Sequence, residues 1–249
     1  MSRRALAVVL AVLLSVGCAA FERTTVDWWQ ASRAPSGQAP DPALTPEAVV
    51  QVYAARTVGW RGVFGVHTWV TVKRQGAAAY RRYEVIGWGV DRGAPAVRVD
   101  RTGPDNHWFG ARPERLVDVR GDGVEALITK IEAAVAAYPY ASAYRTWPGP
   151  NSNTFVAHVG RAVPELRLVL PPTAVGKDFL PGGVLVAPSP AGRGLQLSLL
   201  GVAGVLAGWD EGLEINVLGL SFGIDVKAPA LKLPVAGRLG VRPASDGGR

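Results

Sequence analysis

The sequence predicts an α+β fold: an antiparallel sheet with a few packed helices and a β-rich C-terminal extension. Three observations lead there. Residues 62–73 and 80–90 are two alternating apolar and polar runs separated by Gln75-Gly76, the pattern of a hairpin. Residues 122–138 and 151–163 instead repeat their apolar side chains at helical spacing. From Gly183 onward, apolar stretches of strand length alternate with glycine. At 249 residues and 48% hydrophobic, the chain can bury one sizeable core, and a single α+β domain is expected over 45–240, of which 183–240 is the β-rich extension.

The N-terminus reads as a targeting segment. Arg3-Arg4, the apolar run Ala5 to Leu14 and the small residues before Cys18 have the charged, apolar, small-residue order of a secretory signal over 1–17. The run is too short to cross a bilayer, which takes about 20 residues. Cys18 is the only cysteine, so a disulfide within the chain is excluded. Ser15-Val16-Gly17-Cys18 resembles a bacterial lipoprotein cleavage site, with Ser15 standing where leucine is preferred. That resemblance implies an acylated Cys18 as first residue of the mature chain. The membrane partner is then reached through this anchor, each buried methylene contributing about 0.8 kcal/mol, on the periplasmic side of a bacterial cell envelope. An uncleaved or conventionally cleaved signal is the other reading.

Residues 18–44, with Pro35, Ser36, Gly37, Pro40, Asp41 and Pro42, read as a tether. Trp28 and Trp29 suit a lipid interface or packing on the domain equally well. Without Arg3 and Arg4, 25 basic residues against 20 acidic ones leave the mature chain at +5. The basic residues are scattered and no recognisable module accompanies them, so nucleic acid is not an expected partner. With one cysteine and three separated histidines, neither a metal site nor a cofactor is expected.

Within the domain, Thr45-Pro46-Glu47 looks like a helix start, and a helix is expected through about Arg56. The hairpin follows. Phe64, Val66, Val70 and Val72 fall on one face of its first strand, and His67, Trp69 and Thr71 on the other, where His67 is expected to contribute little packing. On the return strand Arg82, Glu84, Ile86 and Trp88 share a face, so pairing His67 with Glu84 or Ile86 puts Glu84 beside the imidazole. A lone strand histidine is commonly structural, so both roles stay open. Short strands are expected at 97–100 and 116–119. The intervening Pro104-Asp105-Asn106-His107-Trp108-Phe109-Gly110 is either a turn held by packed aromatics or a rim over a pocket. Asp122 is placed to cap a helix with Val124, Leu127, Ile128, Ile131 and Val135 on its core side, which Pro139 stops.

Trp147-Pro148-Gly149-Pro150-Asn151-Ser152-Asn153-Thr154-Phe155 is a rigid polar turn before the second helix. Asn151, Ser152 or Asn153 can cap it. Ser152 accordingly sits where free backbone N–H groups and the helix dipole would stabilise an oxyanion, or it is simply a cap. Beyond Pro171-Pro172 and Pro181-Gly182-Gly183, strands are expected near 184–186, 195–199, 202–206, 213–218, 220–226 and 231–233, as a sheet extension or as a membrane-facing hairpin. Residues 241–249 read as a disordered tail.

His67-Thr68-Trp69-Val70, Tyr83-Glu84-Val85-Ile86-Gly87-Trp88-Gly89 and the stretch from Trp147 to Phe155 resemble the bacterial domain of unknown function 3750, with similarity extending over about 46–240. More remotely, a histidine strand, a polar residue on the next strand and Asn151, Ser152 and Phe155 at a helix start are similar to the permuted papain-like superfamily. That superfamily includes cell-wall peptidases and lecithin:retinol acyltransferase-like enzymes. The resemblance implies a permuted papain-like fold and a hydrolase or acyltransferase acting on an amide or ester of an envelope molecule. It also implies Ser152 as nucleophile in place of the usual cysteine, His67 as general base and Glu84 as the orienting acid. A silent relative that binds an envelope ligand in the same cleft is the alternative.

Overall fold

The computed structural model describes residues 27–241; Cys18, the signal segment and residues 242–249 lie outside the described residues. Its elements are β1 (Val49–Arg56), the one-turn helix α1 (Arg61–Phe64), β2 (Val66–Lys73), β3 (Arg81–Val85), β4 (Val97–Val99), β5 (Glu114–Arg120) and the helices α2 (Val124–Ala136) and α3 (Ser152–Ala162). The extension adds β6 (Val186–Pro188), β7 (Gly194–Leu199), β8 (Ala203–Gly208), β9 (Gly212–Val217), β10 (Leu220–Asp225), β11 (Ala230–Leu233) and β12 (Gly237–Gly240). The fold is α+β, as the patterning predicts. Two antiparallel sheets carry it, one ordered β4-β3-β2-β1-β5 and one a seven-stranded meander from β6 to β12.

The helix expected over 45–56 is instead strand β1. It lies between β2 and β5 with both faces covered, so Val49, Val50, Val52 and Tyr53 are all buried. A strand buried on both sides shows a nearly continuous apolar run, which imitates a helical stripe, and its β-branched residues favour the sheet. The first strand of the predicted hairpin begins later than expected, because Arg61–Phe64 coil into α1 before β2 starts. Gly123, not Asp122, occupies the N-cap of α2, and no side chain caps that helix.

Strand alternation gives the first sheet two faces. Val50, Val52, Val66, Val70 and Val72 point to α2 and α3, where Ile128, Ile131, Phe155, Val156 and Val159 complete the main core. Tyr53, Ala55 and Trp69 point to the other face, beneath Trp108 and Ala111. The loop carrying Trp108 is fastened by part of the segment read as a tether. Asp105, buried, accepts hydrogen bonds from Ser36 Oγ (2.8 Å) and from the N–H groups of Gln38 (2.6 Å) and Ala39 (3.2 Å). Residues 31–40 therefore lie on the domain, and Trp28 meets Phe109 edge to face at 6.2 Å.

Candidate active site

His67 and Glu84 come together. Register pairs Trp69 with Glu84 across β2 and β3, which makes Glu84 the diagonal neighbour of His67 on the same face. His67 Nε2 lies 2.8 Å from Glu84 Oε2, and the same oxygen accepts from Arg82 Nη2 at 2.7 Å. All three are buried. His67 is thus no lightly packed surface residue, contrary to the alternation-based expectation, because Trp108 reaches over from its loop. Their rings stack at 3.7 Å in a column running Trp88, Trp108, His67, Trp69, Tyr53. The Arg82 guanidinium lies 4.0 Å over Trp69.

These surroundings fix the protonation of the imidazole. Burial pushes His67 below its ordinary range, against the opposing pull of Glu84. Burial alone would raise Glu84, but the donors on His67 and Arg82 outweigh it and hold the carboxyl below its usual range. At neutral pH the ring is therefore neutral and the carboxylate ionised. A carboxylate only accepts, so Nε2 carries the proton and Nδ1 keeps the lone pair. Among the described residues no hydrogen bond occupies Nδ1.

Ser152 opens α3. Asn151 is the cap, its side-chain oxygen accepting from the N–H groups of Asn153 (2.9 Å) and Thr154 (3.1 Å), while Thr154 Oγ1 accepts from Asn151 N–H in a capping box. Asn151 Nδ2 in turn donates to the carbonyls of Thr146 and Val175, both at 3.0 Å. Gly176 makes room for that amide, since a Cβ there would lie 2.3 Å from Nδ2. Because Asn151 takes the next two N–H groups, the N–H and hydroxyl of Ser152 have no hydrogen-bond partner among the described residues.

The first turn of α3 is bound to both residues that flank His67. Thr68 Oγ1 donates to the Ser152 carbonyl (3.1 Å) and to Asn153 Oδ1 (3.0 Å), and Asn153 Nδ2 donates to the Val66 carbonyl (3.0 Å). Thr68, the one polar residue in the row of Val66, Val70 and Val72, is thus the residue that points to the helix. Ser152 and His67 approach the same short piece of β2 from opposite faces, and no hydrogen bond joins the two side chains. Three contributors were not singled out by sequence reasoning. Arg82 shares its strand face with Glu84, a two-residue spacing that was available; Thr68 showed only as a polar break in an apolar row, and Trp108 only as part of the aromatic stretch 104–110. His158 and His107 lie elsewhere, bonded to the carbonyls of Ala134 and Ala34. No group of three His, Cys, Asp or Glu side chains among the described residues could hold a metal ion.

The fold and this geometry define a two-sheet α+β protein with a buried His–Glu–Arg chain on one face of a strand whose other face holds a helix N-terminus. The chain matches the family described as protein of unknown function DUF3750 over residues 47–179, and it belongs to that family. The match ends before β6, short of the 46–240 expected from sequence, so the seven-stranded sheet lies outside it. No curated protein and no solved structure matches the chain.

Proposed function

We propose that the protein is an envelope lipoprotein with a serine-dependent hydrolase or acyltransferase site for an amide or ester of an envelope molecule. The observation that carries this reading is the binding of the first turn of α3 to both neighbours of His67, with Ser152 N–H and Oγ unpartnered among the described residues. Ser152 Oγ would attack the acyl carbon while His67 Nδ1 takes its proton. Glu84 holds the imidazole by Nε2–H and stabilises the cation that forms. Ser152 N–H, at the positive end of α3, faces the developing oxyanion. His67 then returns the proton to the departing amine or alcohol, and water or an acceptor hydroxyl releases the acyl group. The order of these residues keeps the resemblance to permuted papain-like enzymes, with serine for cysteine.

A fluorophosphonate probe tests this without knowledge of the substrate. Labelling should appear on the wild type and vanish in Ser152→Ala and His67→Gln; an unlabelled wild type argues against the enzyme. The second reading, a ligand-binding lipoprotein, is favoured by one observation: Ser152 and His67 reach β2 from opposite faces of the sheet and no hydrogen bond joins them. The catalytic reading requires the two side chains to meet around the N-terminal end of β2 once substrate is bound, and so the probe, which supplies an acyl-like centre, separates the two. The anchor at Cys18 is tested by metabolic labelling with a fatty-acid probe, which Cys18→Ser should abolish.

A further inference from the structure

The seven-stranded sheet is built inside out. Apart from Leu206 on β8, its buried inward side chains are polar: Gln196 and Ser198 on β7, Glu214 and Asn216 on β9, Lys232 on β11. They close around Lys177 and Asp178, which come from the segment after α3. Lys177 and Lys232 both pair with Glu214, and Asp178 takes hydrogen bonds from Gln196 and Asn216. Every outward position, from Val186 on β6 to Leu239 on β12, is apolar. Leu195, Leu197 and Leu199 face out on β7, and Leu213, Ile215 and Val217 on β9, each 45–64% exposed.

The turns continue the pattern. At one end of the strands lie Leu200-Gly201-Val202 and Leu218-Gly219, and Leu200 and Leu218 are exposed although they hold φ of 53° and 54°. Such positions ordinarily take Gly, Asn or Asp, so a leucine there is costly without an apolar contact for its side chain. At the other end lie the charged groups Arg193, Asp210 and Lys227, beside the exposed Trp209. An apolar end and face bordered by tryptophan and charge have the arrangement of a surface that meets lipid.

The apolar face amounts to on the order of 1,000 Å², beyond the roughly 300–600 Å² of the largest patch on most monomers. That would satisfy the standard interface of about 800 Å² per partner, so a second copy is the competing occupant. Two observations favour lipid. Leu200 and Leu218 carry the apolar surface from the face around the turn end of the strands, so that face and end together are apolar; a second copy laid against the face leaves that end uncovered, whereas acyl chains conform to both. The chain also ends close to a membrane under the anchor reading. Eight residues lie between Cys18 and Asp27, where the described structure begins. Fully extended they reach about 30 Å, so the domain stays at the bilayer surface.

We infer that the outward face of the β6–β12 sheet docks into the acyl layer of the leaflet that holds Cys18. This rests on the lipid-anchor reading of the proposed function and is independent of the catalytic one. No helix among the described residues is long and apolar enough to cross a membrane.

The test uses the full chain as Cys18→Ser, which removes the acyl chains and leaves no other cysteine. Ile215→Cys in this background carries an environment-sensitive fluorophore, and the vesicles are phosphatidylcholine with a minor fraction of phosphatidylglycerol. The expected result is vesicle binding, a blue shift and quenching by lipids brominated on their acyl chains. Leu197→Asn, Ile215→Asn and Phe222→Asn together, without the fluorophore, should weaken binding more than about a hundredfold at an unchanged melting temperature, because these side chains are exposed in the free protein. A blue shift that grows with protein concentration and ignores lipid overturns the inference in favour of a second copy. An unquenched probe, where the wild-type chain takes a fatty-acid label at Cys18, overturns the docking face and leaves the anchor standing. An absent fatty-acid label overturns the anchor, and with it the leaflet named here.

Discussion

Replacing Glu84 by Gln isolates the ionic part of the buried chain. Glu84 and Arg82 are 1% and 2% exposed, so the guanidinium has little water to turn to when the carboxylate is neutralised. Breaking a buried pair on one side costs about 3–5 kcal/mol. The glutamine oxygen can still accept from one donor, which places Glu84→Gln near the lower limit, about 3 kcal/mol at neutral pH. For a domain of this size that is a fall of about 6–12 °C in melting temperature. The exposed pair Lys130–Glu165 provides the control, since Glu165→Gln should move stability by no more than about 0.5 kcal/mol. Thermal melts of the two variants, with urea titrations to convert midpoints into free energies, give the comparison. A loss below about 1 kcal/mol in Glu84→Gln would refute the account of Arg82 and Glu84 as a desolvated pair.

Asn151→Ala should cost about 2 kcal/mol or more, because it removes the acceptor for two helix N–H groups and two donated bonds. Ser152→Ala should stay within about 0.5 kcal/mol, as its hydroxyl bonds nothing among the described residues; equal losses would return Ser152 to a capping role. Burial lowers both His67 and His158, so the unfolded chain binds protons that the native state refuses once pH falls below about 6.5. Melting temperature should therefore be highest above that pH and drop below it. A second loss should follow under about pH 4.3 as Glu84 and the other carboxylates held low in the native state, Glu214 and Asp225 among them, are forced to protonate. A flat profile between about pH 8 and 5.5 contradicts the histidine assignment, and a lower step undiminished in Glu84→Gln contradicts the share given to Glu84.

Local patterns made much of this legible. Two-residue alternation placed His67 and Glu84 on one face, and the Pro-rich turn before Phe155 located the start of α3, where Asn151 proved to be the cap. The misreading of β1 shows the limit of periodicity, since a strand covered on both faces loses the alternation that would identify it. Trp108 stacks on His67 from 41 residues away, and Asp105 holds residues 36–39 by contacts of similar range. Nothing in the spacing of either segment encodes such a meeting, which depends on how the loop between β4 and β5 folds back. The apolar and polar rows of β7 and β9 could be read in sequence; that the polar row faces inward could not, because it depends on Lys177 and Asp178 lying beneath it.

That arrangement bears on modularity. The family match stops at Phe179, and a truncation there looks natural on sequence grounds. Yet Arg161, Lys177 and Asp178 lie inside the matched region and find their partners Gln196 and Glu214 beyond it. Cutting at residue 180 would leave three charged side chains on a bare surface, together with the apolar groups the sheet had covered. The seven-stranded sheet is therefore interlocked with the matched region by ionic groups that α3 and the segment after it contribute and the sheet surrounds, and the two parts should unfold in a single cooperative step. Relatives that carry only the matched segment would need different residues at 161, 177 and 178, or another chain to take the sheet's place.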